Sequence, residues 1–351
     1  MPNSLEQLKY SDNSQIGYEK FLAALYSSQV LSGEYINIEL PSSKSVQSKP
    51  YVLRLDGMFF YKFTLRNLLN YIYLTRGVGR SIESEKRFFL LNTGLSNFGN
   101  RWLNRHIWRK ARGANGLIFQ SQLSKKMFQM FGPQVAIPST IIPNGVSLTE
   151  YAPDFRIKRS ENKIEIAITA NFRPHKRLVD AIKISVALEK STGKKVYLNV
   201  AGKVDKITRR AADGLLTDQV QFLGTLSKSD LIGLYSKCHI GIAPAIFDPC
   251  PNSVIEMMAC GLPVITCSNS GAAELVPNDQ FIVDEYLDLK FLEFQSVPGL
   301  PKCSVDAWVT KIEGVLAEID CHRKLTLDHC RSFFDIEDIA LQYKKFYYDV
   351  C

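Results

Sequence analysis

Short apolar runs alternate with amphipathic stretches through the second half of the chain. KIEIAIT (163–169), KVYLNVAG (195–202), VQFLG (220–224), HIGIAPA (239–245) and PVITCS (263–268) are largely continuous in apolar character. Such runs predict strands buried on both faces, as in a parallel sheet. Between them, 177–190, 227–238 and 252–260 carry apolar residues at helical spacing, and Ser227 stands where an N-cap is expected. The first half is less regular. Strands are expected at YINIEL (35–40), YVLRL (51–55), RFFLLN (87–92), GLIFQS (116–121) and STIIPNG (139–145), with helices between them. The polar stretch TEYAPDFRIKRSENK (149–163) reads as a linker. Alternation of this kind predicts an α/β protein of two units in tandem, 1–150 and 151–335. Ligands of such folds bind at the carboxyl ends of strands, so a cleft between the units is the expected site.

Composition agrees with this division and adds an asymmetry. With 351 residues, 46% of them hydrophobic, the chain is long enough for about two domains with sizeable cores. The formal net charge is +8. Residues 1–150 hold 18 Lys and Arg against 9 Asp and Glu, and the remainder holds 25 against 26. The whole excess therefore lies in the first unit, and 54–126 alone has 14 basic and 3 acidic residues. A one-sided basic balance points to an anionic partner for that unit, or to a solvated surface. No run approaches ~18 continuous apolar residues, and the first residues lack the basic-then-apolar order of a secretory signal. All eight cysteines lie between Cys238 and Cys351 without a CxxC pair, which suggests reduced thiols and a cytoplasmic setting.

The chemistry concentrates in two segments. In FDPCPNSVIEMMACGLPVIT (247–266), Asp248 sits in a proline-studded loop and Glu256 follows as a helix begins. Ser253 and Glu256 have the spacing of a capping box, which gives Glu256 a local explanation; Asp248 reads locally as a turn residue. Free N–H groups at such a helix start can hold anionic or hydroxyl oxygens. In ANFRPHKRL (170–178), Arg173, Lys176 and Arg177 crowd a strand-to-helix loop. Cations oppose the dipole of a helix N-terminus, which favours a bound anion such as a diphosphate there; a solvated basic turn is the plain alternative. No Asp-x-Asp follows an apolar strand, RGVGRS (76–81) is no dinucleotide fingerprint, and there is no P-loop. No metal site is expected.

ANFRPHKRLVDAI, VQFLGTLSKSDLIGLYSKCHIGIAPA and FDPCPNSVIEMMACGLPVITCSNSGAAELV resemble the donor domain of retaining glycosyltransferase family 4. IFQSQLSKKMF followed by IIPNGV is similar to the end of that family's first domain, and FDIEDIALQYKKFYYDVC (334–351) to its last helix. The resemblance implies a GT-B fold, two Rossmann-like domains facing across a cleft, with residues 336–351 crossing back to the first. It implies a nucleotide-diphosphate sugar as donor substrate, no cofactor and no metal. Arg173 and Lys176 would hold the donor diphosphate, Asp248 the hydroxyls of the transferred sugar, and Glu256 the ribose. Asn252 and Ser253 would line the sugar site, Leu226 would lie beside the base, and Gly17 would mark the first-domain loop. Asp248 stands where the family usually has Glu, and the family's opening apolar strand is missing or degenerate here.

The basic unit holds one more pattern. On a helix, RWLNRHIWRKAR (101–112) puts Arg101, Arg105, Arg109 and Arg112 along one face with Trp102 and Trp108 at its edges. Leu103, Ile107 and Ala111 lie opposite. The stripe suits either an anionic bilayer surface or an ordinary solvated face, and FTLRNLLNYIYLTRG (63–77) is a second candidate. The reading that joins these observations is a retaining, metal-independent hexosyltransferase-type glycosyltransferase. It would act at the inner face of a membrane on a glycan or lipid-linked acceptor in cell-surface polysaccharide biosynthesis, without a nucleic-acid partner. The alternatives are an epimerase or phosphorylase on the same fold, or a non-catalytic glycan-assembly partner.

Overall fold

A computed structural model describes residues 17–31, 36–39, 50–55, 105–131, 136–285 and 303–351. The expected strand at 87–92, the apolar segment 63–77, Arg101, Trp102 and Leu103 lie outside the described residues.

Two parallel sheets organise the described chain. The first has the order β1 (Ile38–Glu39), β2 (Val52–Leu55), β3 (Gly116–Phe119), β4 (Ser139–Ile141). Helix α1 (Gly17–Tyr26) precedes it, helix α2 (105–113) leads into β3, and α3 (Gln122–Phe131) follows β3. The second sheet contains β5 (Lys163–Thr169), β6 (Lys195–Ala201), β7 (Val220–Gly224), β8 (Ile240–Ala243), β9 (Val264–Cys267) and β10 (Ile282–Val283), in the order β10-β9-β8-β5-β6-β7. Every described pairing in both sheets is parallel. Ile166, Ala167, Leu198, Val200, Ile240, Ile242 and Ile265 are wholly or almost wholly shielded, which is why these strands read as continuous apolar runs rather than alternating ones. Helices α4 (Leu178–Thr192), α5 (Lys206–Asp213), α6 (Lys228–Lys237) and α7 (Asn252–Ala259) connect the strands. Ser227 caps α6 by accepting from Asp230 N–H, as its sequence position predicts.

Three C-terminal helices complete the chain: α8 (Val305–Ala317), α9 (Ile319–Phe333) and α10 (Ile336–Val350). Helix α10 leaves the second sheet and packs on the first. Val146 N–H donates to Phe334 O at 2.8 Å, and Ile336 N–H returns to Val146 O at 3.0 Å. Glu337 then accepts Gln29 N–H at 3.0 Å and Val30 N–H at 3.1 Å, holding the end of α1. Ile336, Ile339, Ala340, Tyr343 and Tyr347 share one apolar cluster with Phe21, Leu25, Val52 and Ile118. Before β5 opens at Lys163 the linker stretch carries no helix or strand, yet it is fastened: Tyr151 is 7% exposed, and Asp154 N–H donates to Ser236 Oγ at 3.0 Å. A second tie is Glu274, after β9, whose carboxylate accepts Gln122 N–H at 2.7 Å and Leu123 N–H at 2.9 Å at the start of α3. A carboxylate there satisfies backbone donors that the helix itself leaves unpaired.

Tyr343 is completely buried, and its ring lies 6.0 Å from that of Phe21. Tyr343→Ala should open a cavity between α10 and α1 and lower stability by about 3–5 kcal/mol. Urea unfolding of the full chain measures this, and an unchanged midpoint would mean that the α10 contact contributes little.

Candidate functional site

The order of the second sheet defines a place for ligands. From β5 the chain moves to β6 and β7 on one side, then returns to add β8, β9 and β10 on the other. Between β5 and β8 the direction of winding reverses, and such a switch point opens a crevice at the carboxyl ends of the strands. The two chemistry-bearing segments leave β5 and β8 at this crevice.

After β5, Pro174–Lys176 form one turn of 3-10 helix. After β8, the chain bends through Phe247, whose φ of 58° is unusual for a residue with a side chain. The two loops are stitched together by Ile246 N–H, which donates to His175 O at 3.1 Å. Lys176 Nζ forms a salt bridge with Asp248 Oδ2, with both side chains largely buried. The Asp248 backbone is held from a third side, where Gly271 N–H donates to Asp248 O at 2.8 Å. A Cβ on Gly271 would stand 1.8 Å from Pro249 O, so only glycine allows this approach. His175 is mostly enclosed: burial, reinforced by the neighbouring Lys176 charge, lowers its pKa to about 4. It is therefore neutral near pH 7, leaving Lys176 and the exposed Arg173 as the cations of this loop.

The capping box expected at Ser253 and Glu256 does not form. Helix α7 begins two residues earlier than the box requires, with Pro251 as N-cap and no side chain capping it, so Ser253 is already inside the first turn. Proline needs no N–H partner at a helix start, which moves the boundary forward. The Glu256 carboxylate lies beside Tyr151, close enough for its charge to act on the hydroxyl. Burial, and then the charge of Glu256, raise the Tyr151 pKa, so the hydroxyl stays protonated and remains a donor. Glu256 opens into a cleft of about 640 Å³ lined from both units by Phe21, Ser27, Tyr151, Leu226, Asn252 and Glu256 among others.

Arg177 is a second correction. The spacing puts it with Arg173 and Lys176, but its side chain is fully buried and its backbone adopts φ 55°. It forms salt bridges with Glu285 and with Asp180, the latter at 2.9 Å. Glu285 also accepts from Trp308 Nε1 at 2.8 Å, so the guanidinium ties the turn to α8 through Glu285. The structure therefore assembles Lys176 with Asp248, and brings Leu226, Asn252 and Glu256 to the cleft. Ser253 is half-buried in the first turn of α7, and Gly17 is the first residue of α1. On α2, Arg105, Arg109 and Arg112 are exposed, Ile107 and Ala111 are buried, and Trp108 packs partly against the core. Tyr151 and Asn144 carry no recognisable motif for this role: the first lies in the polar linker, the second in the IIPNGV turn. Among the described residues no group of three or more His, Cys, Asp or Glu could hold a metal ion, and no helix is long and apolar enough to cross a membrane.

Residues 152–292 match the family Glycosyl transferases group 1. The chain is 27% identical over 144 residues to an uncharacterised glycosyltransferase, YqgM, of Bacillus subtilis, covering 40% of this chain and 39% of that protein. It is 24% identical over 176 residues to a Mycobacterium tuberculosis glycogen synthase, covering 49% and 42%. The matched segments thus span about two fifths of these relatives (39% and 42%). Among solved structures, Anabaena HepE in complex with UDP and glucose aligns with a TM-score of 0.57 at 17% identity, over 86% of this chain and 72% of that one. Sucrose-phosphate synthase from Thermosynechococcus elongatus aligns at 0.56 and 19% identity, over 85% and 67%. These likenesses, with the two parallel sheets, establish the GT-B fold expected from the sequence.

Two substitutions test the framework. Gly271→Ala must push the Asp248 loop away, at a cost of about 1–3 kcal/mol, seen as a lower unfolding midpoint. Glu285→Ala leaves Arg177 buried beside a lost partner and should cost about 3–5 kcal/mol. A wild-type melting curve for Glu285→Ala would show that this pair does not hold the turn.

Proposed function

From the Glycosyl transferases group 1 match over residues 152–292 and the GT-B fold, we propose that this chain is a retaining glycosyltransferase using a nucleotide-diphosphate sugar. The observation that carries this reading is Glu256. Its carboxylate stands beside Tyr151 and opens into a cleft walled by both units. A carboxylate so placed suits the ribose hydroxyls of a nucleotide, with Leu226 beside the base. The donor diphosphate would lie at the N-terminal end of α7, where unpaired backbone N–H groups favour anions. Lys176 and Arg173 supply positive charge on the neighbouring turn. Asp248 holds Lys176 in place and presents its second oxygen to sugar hydroxyls. UDP bound to the Anabaena relative supports a nucleotide donor.

Catalysis on this reading rests on orientation and charge. The acceptor hydroxyl attacks on the face from which the diphosphate leaves, its proton passes toward the leaving phosphate oxygen, and Lys176 and Arg173 stabilise the charge that develops there. The reaction is metal-independent, transfers a hexose, and serves cell-surface polysaccharide synthesis at the cytoplasmic face of the membrane. Exposed Arg105, Arg109 and Arg112 on α2, in the unit that carries the whole charge excess, support a peripheral contact with anionic lipid. The acceptor is then a glycan or a lipid-linked glycan.

A melting screen against UDP-, GDP-, ADP- and dTDP-sugars should single out one donor by a raised unfolding temperature, since a ligand that binds only the folded state stabilises it by mass action. With that donor, Lys176→Ala should lower transfer by about 100-fold or more while the fold persists by circular dichroism; an unchanged rate sinks the diphosphate role. Flotation with phosphatidylglycerol vesicles should fall for the Arg105→Glu, Arg109→Glu pair. Equal flotation removes the membrane contact.

A further inference from the structure

Arg54 is a charge sealed inside the first unit. It stands in β2, one residue before the strand ends, and is 0% exposed among Val52, Leu53 and Leu55, which are equally hidden. Burying a guanidinium is costly unless its donors are used, and an aliphatic side chain would suit this strand at no such cost. Its described contacts lead to the cleft in two directions. The guanidinium carbon lies 4.7 Å from the centroid of the Phe21 ring, and Phe21 lines the cleft from α1. Arg54 Nη2 also donates to Asn144 Oδ1 at 2.7 Å. Asn144 Nδ2 in turn donates to Cys250 O at 3.3 Å and to Asn252 Oδ1, and Asn144 N–H reaches Cys250 Sγ at 3.4 Å. Asn252 is the first residue of α7 and lines the cleft from the other unit.

We propose that Arg54 is a positioning residue for the transfer reaction, acting through Asn144 to fix Asn252 and the start of α7 against the first unit; this rests on the donor site described above. An asparagine amide has an acceptor end and a donor end. Donation from Arg54 commits Oδ1 of Asn144, so its Nδ2 faces the second unit. That donor commits Oδ1 of Asn252 in its turn and so sets the orientation of an amide in the cleft wall. An arginine is suited to this task because it is charged at every accessible pH and its fork is rigid. The geometry of two units at the donor site is thereby set from a strand of the first unit. Such a contact matters when the reacting groups must be held within a fraction of an ångström.

The test uses the full chain with the donor found by melting and an acceptor that wild type accepts. Asn144→Asp retains the acceptor for Arg54 and the side-chain size while removing donation to Cys250 and Asn252. It should lower kcat by about tenfold or more with the donor KM changed by less than about threefold, and with an unchanged melting temperature. Arg54→Lys keeps the charge without the fork and should show the same split to a smaller degree. In a cycle with Asn252→Ala, the second substitution should add little to the first, because the two residues act in one chain. Wild-type kcat in Asn144→Asp, a loss confined to melting temperature, or effects that multiply independently would each overturn the relay. If wild type itself neither binds nor transfers from any nucleotide sugar, the glycosyltransferase reading fails and the relay falls with it. A transferring wild type with indifferent variants overturns the relay alone.

Discussion

The site depends on one constraint of the parallel sheet: β5 must lie beside β8. Lys176 and Asp248 are 72 residues apart in the chain, and they form an ion pair only because the winding reverses between those strands. Each loop alone would be a mobile polar turn. Together they are joined by the Ile246–His175 backbone bond, the Lys176–Asp248 pair and the close approach of Gly271. A largely buried lysine beside a largely buried aspartate costs desolvation that mutual attraction offsets only in good geometry. The tight backbone around both residues supplies that geometry.

The two units are held in register by contacts of different kinds. Helix α10 carries apolar surface from the second unit into the core of the first, while Glu337 and Glu274 bind backbone donors at the end of α1 and the start of α3. The cleft between the units is lined by Phe21, Tyr151, Leu226, Asn252 and Glu256 among others. The hydrophobic contact supplies most of the adhesion, because apolar burial scales with area. The carboxylates add direction, because each must meet specific N–H groups.

Charge at the site divides by burial. Arg177 and Glu285 are sealed and structural, whereas Arg173 is exposed and Lys176 is largely but not fully buried. Three basic residues within five positions therefore have three different environments. The αL backbone at Arg177 turns its side chain inward, away from the neighbours that sequence spacing had grouped it with. Glu256 went the opposite way, from an expected helix cap to a group facing the cleft, because Pro251 took the cap position.

The sequence by itself determined the elements of the second unit. Strands at 163–169 and 220–224, the helix after Ser227 and the helix that opens at Asn252 occur where apolar periodicity and turn residues place them. Local chemistry suffices there: 163–169 is buried on both faces and must be largely apolar, while the apolar edge strand 220–224 is set off by turn residues. The resemblance also pointed to the fold, and to Lys176, Asp248 and Glu256 as residues of interest. Only the tertiary structure decided which of these meet and in what role. Tyr151 comes beside Glu256 from a polar linker, Asn144 reaches Asn252 from a turn, and Arg54 meets Phe21 and Asn144 inside the first unit. None of these pairings leaves a periodic trace, because a hydrogen bond between distant segments depends on how sheets and helices stack, and stacking is a property of the whole chain.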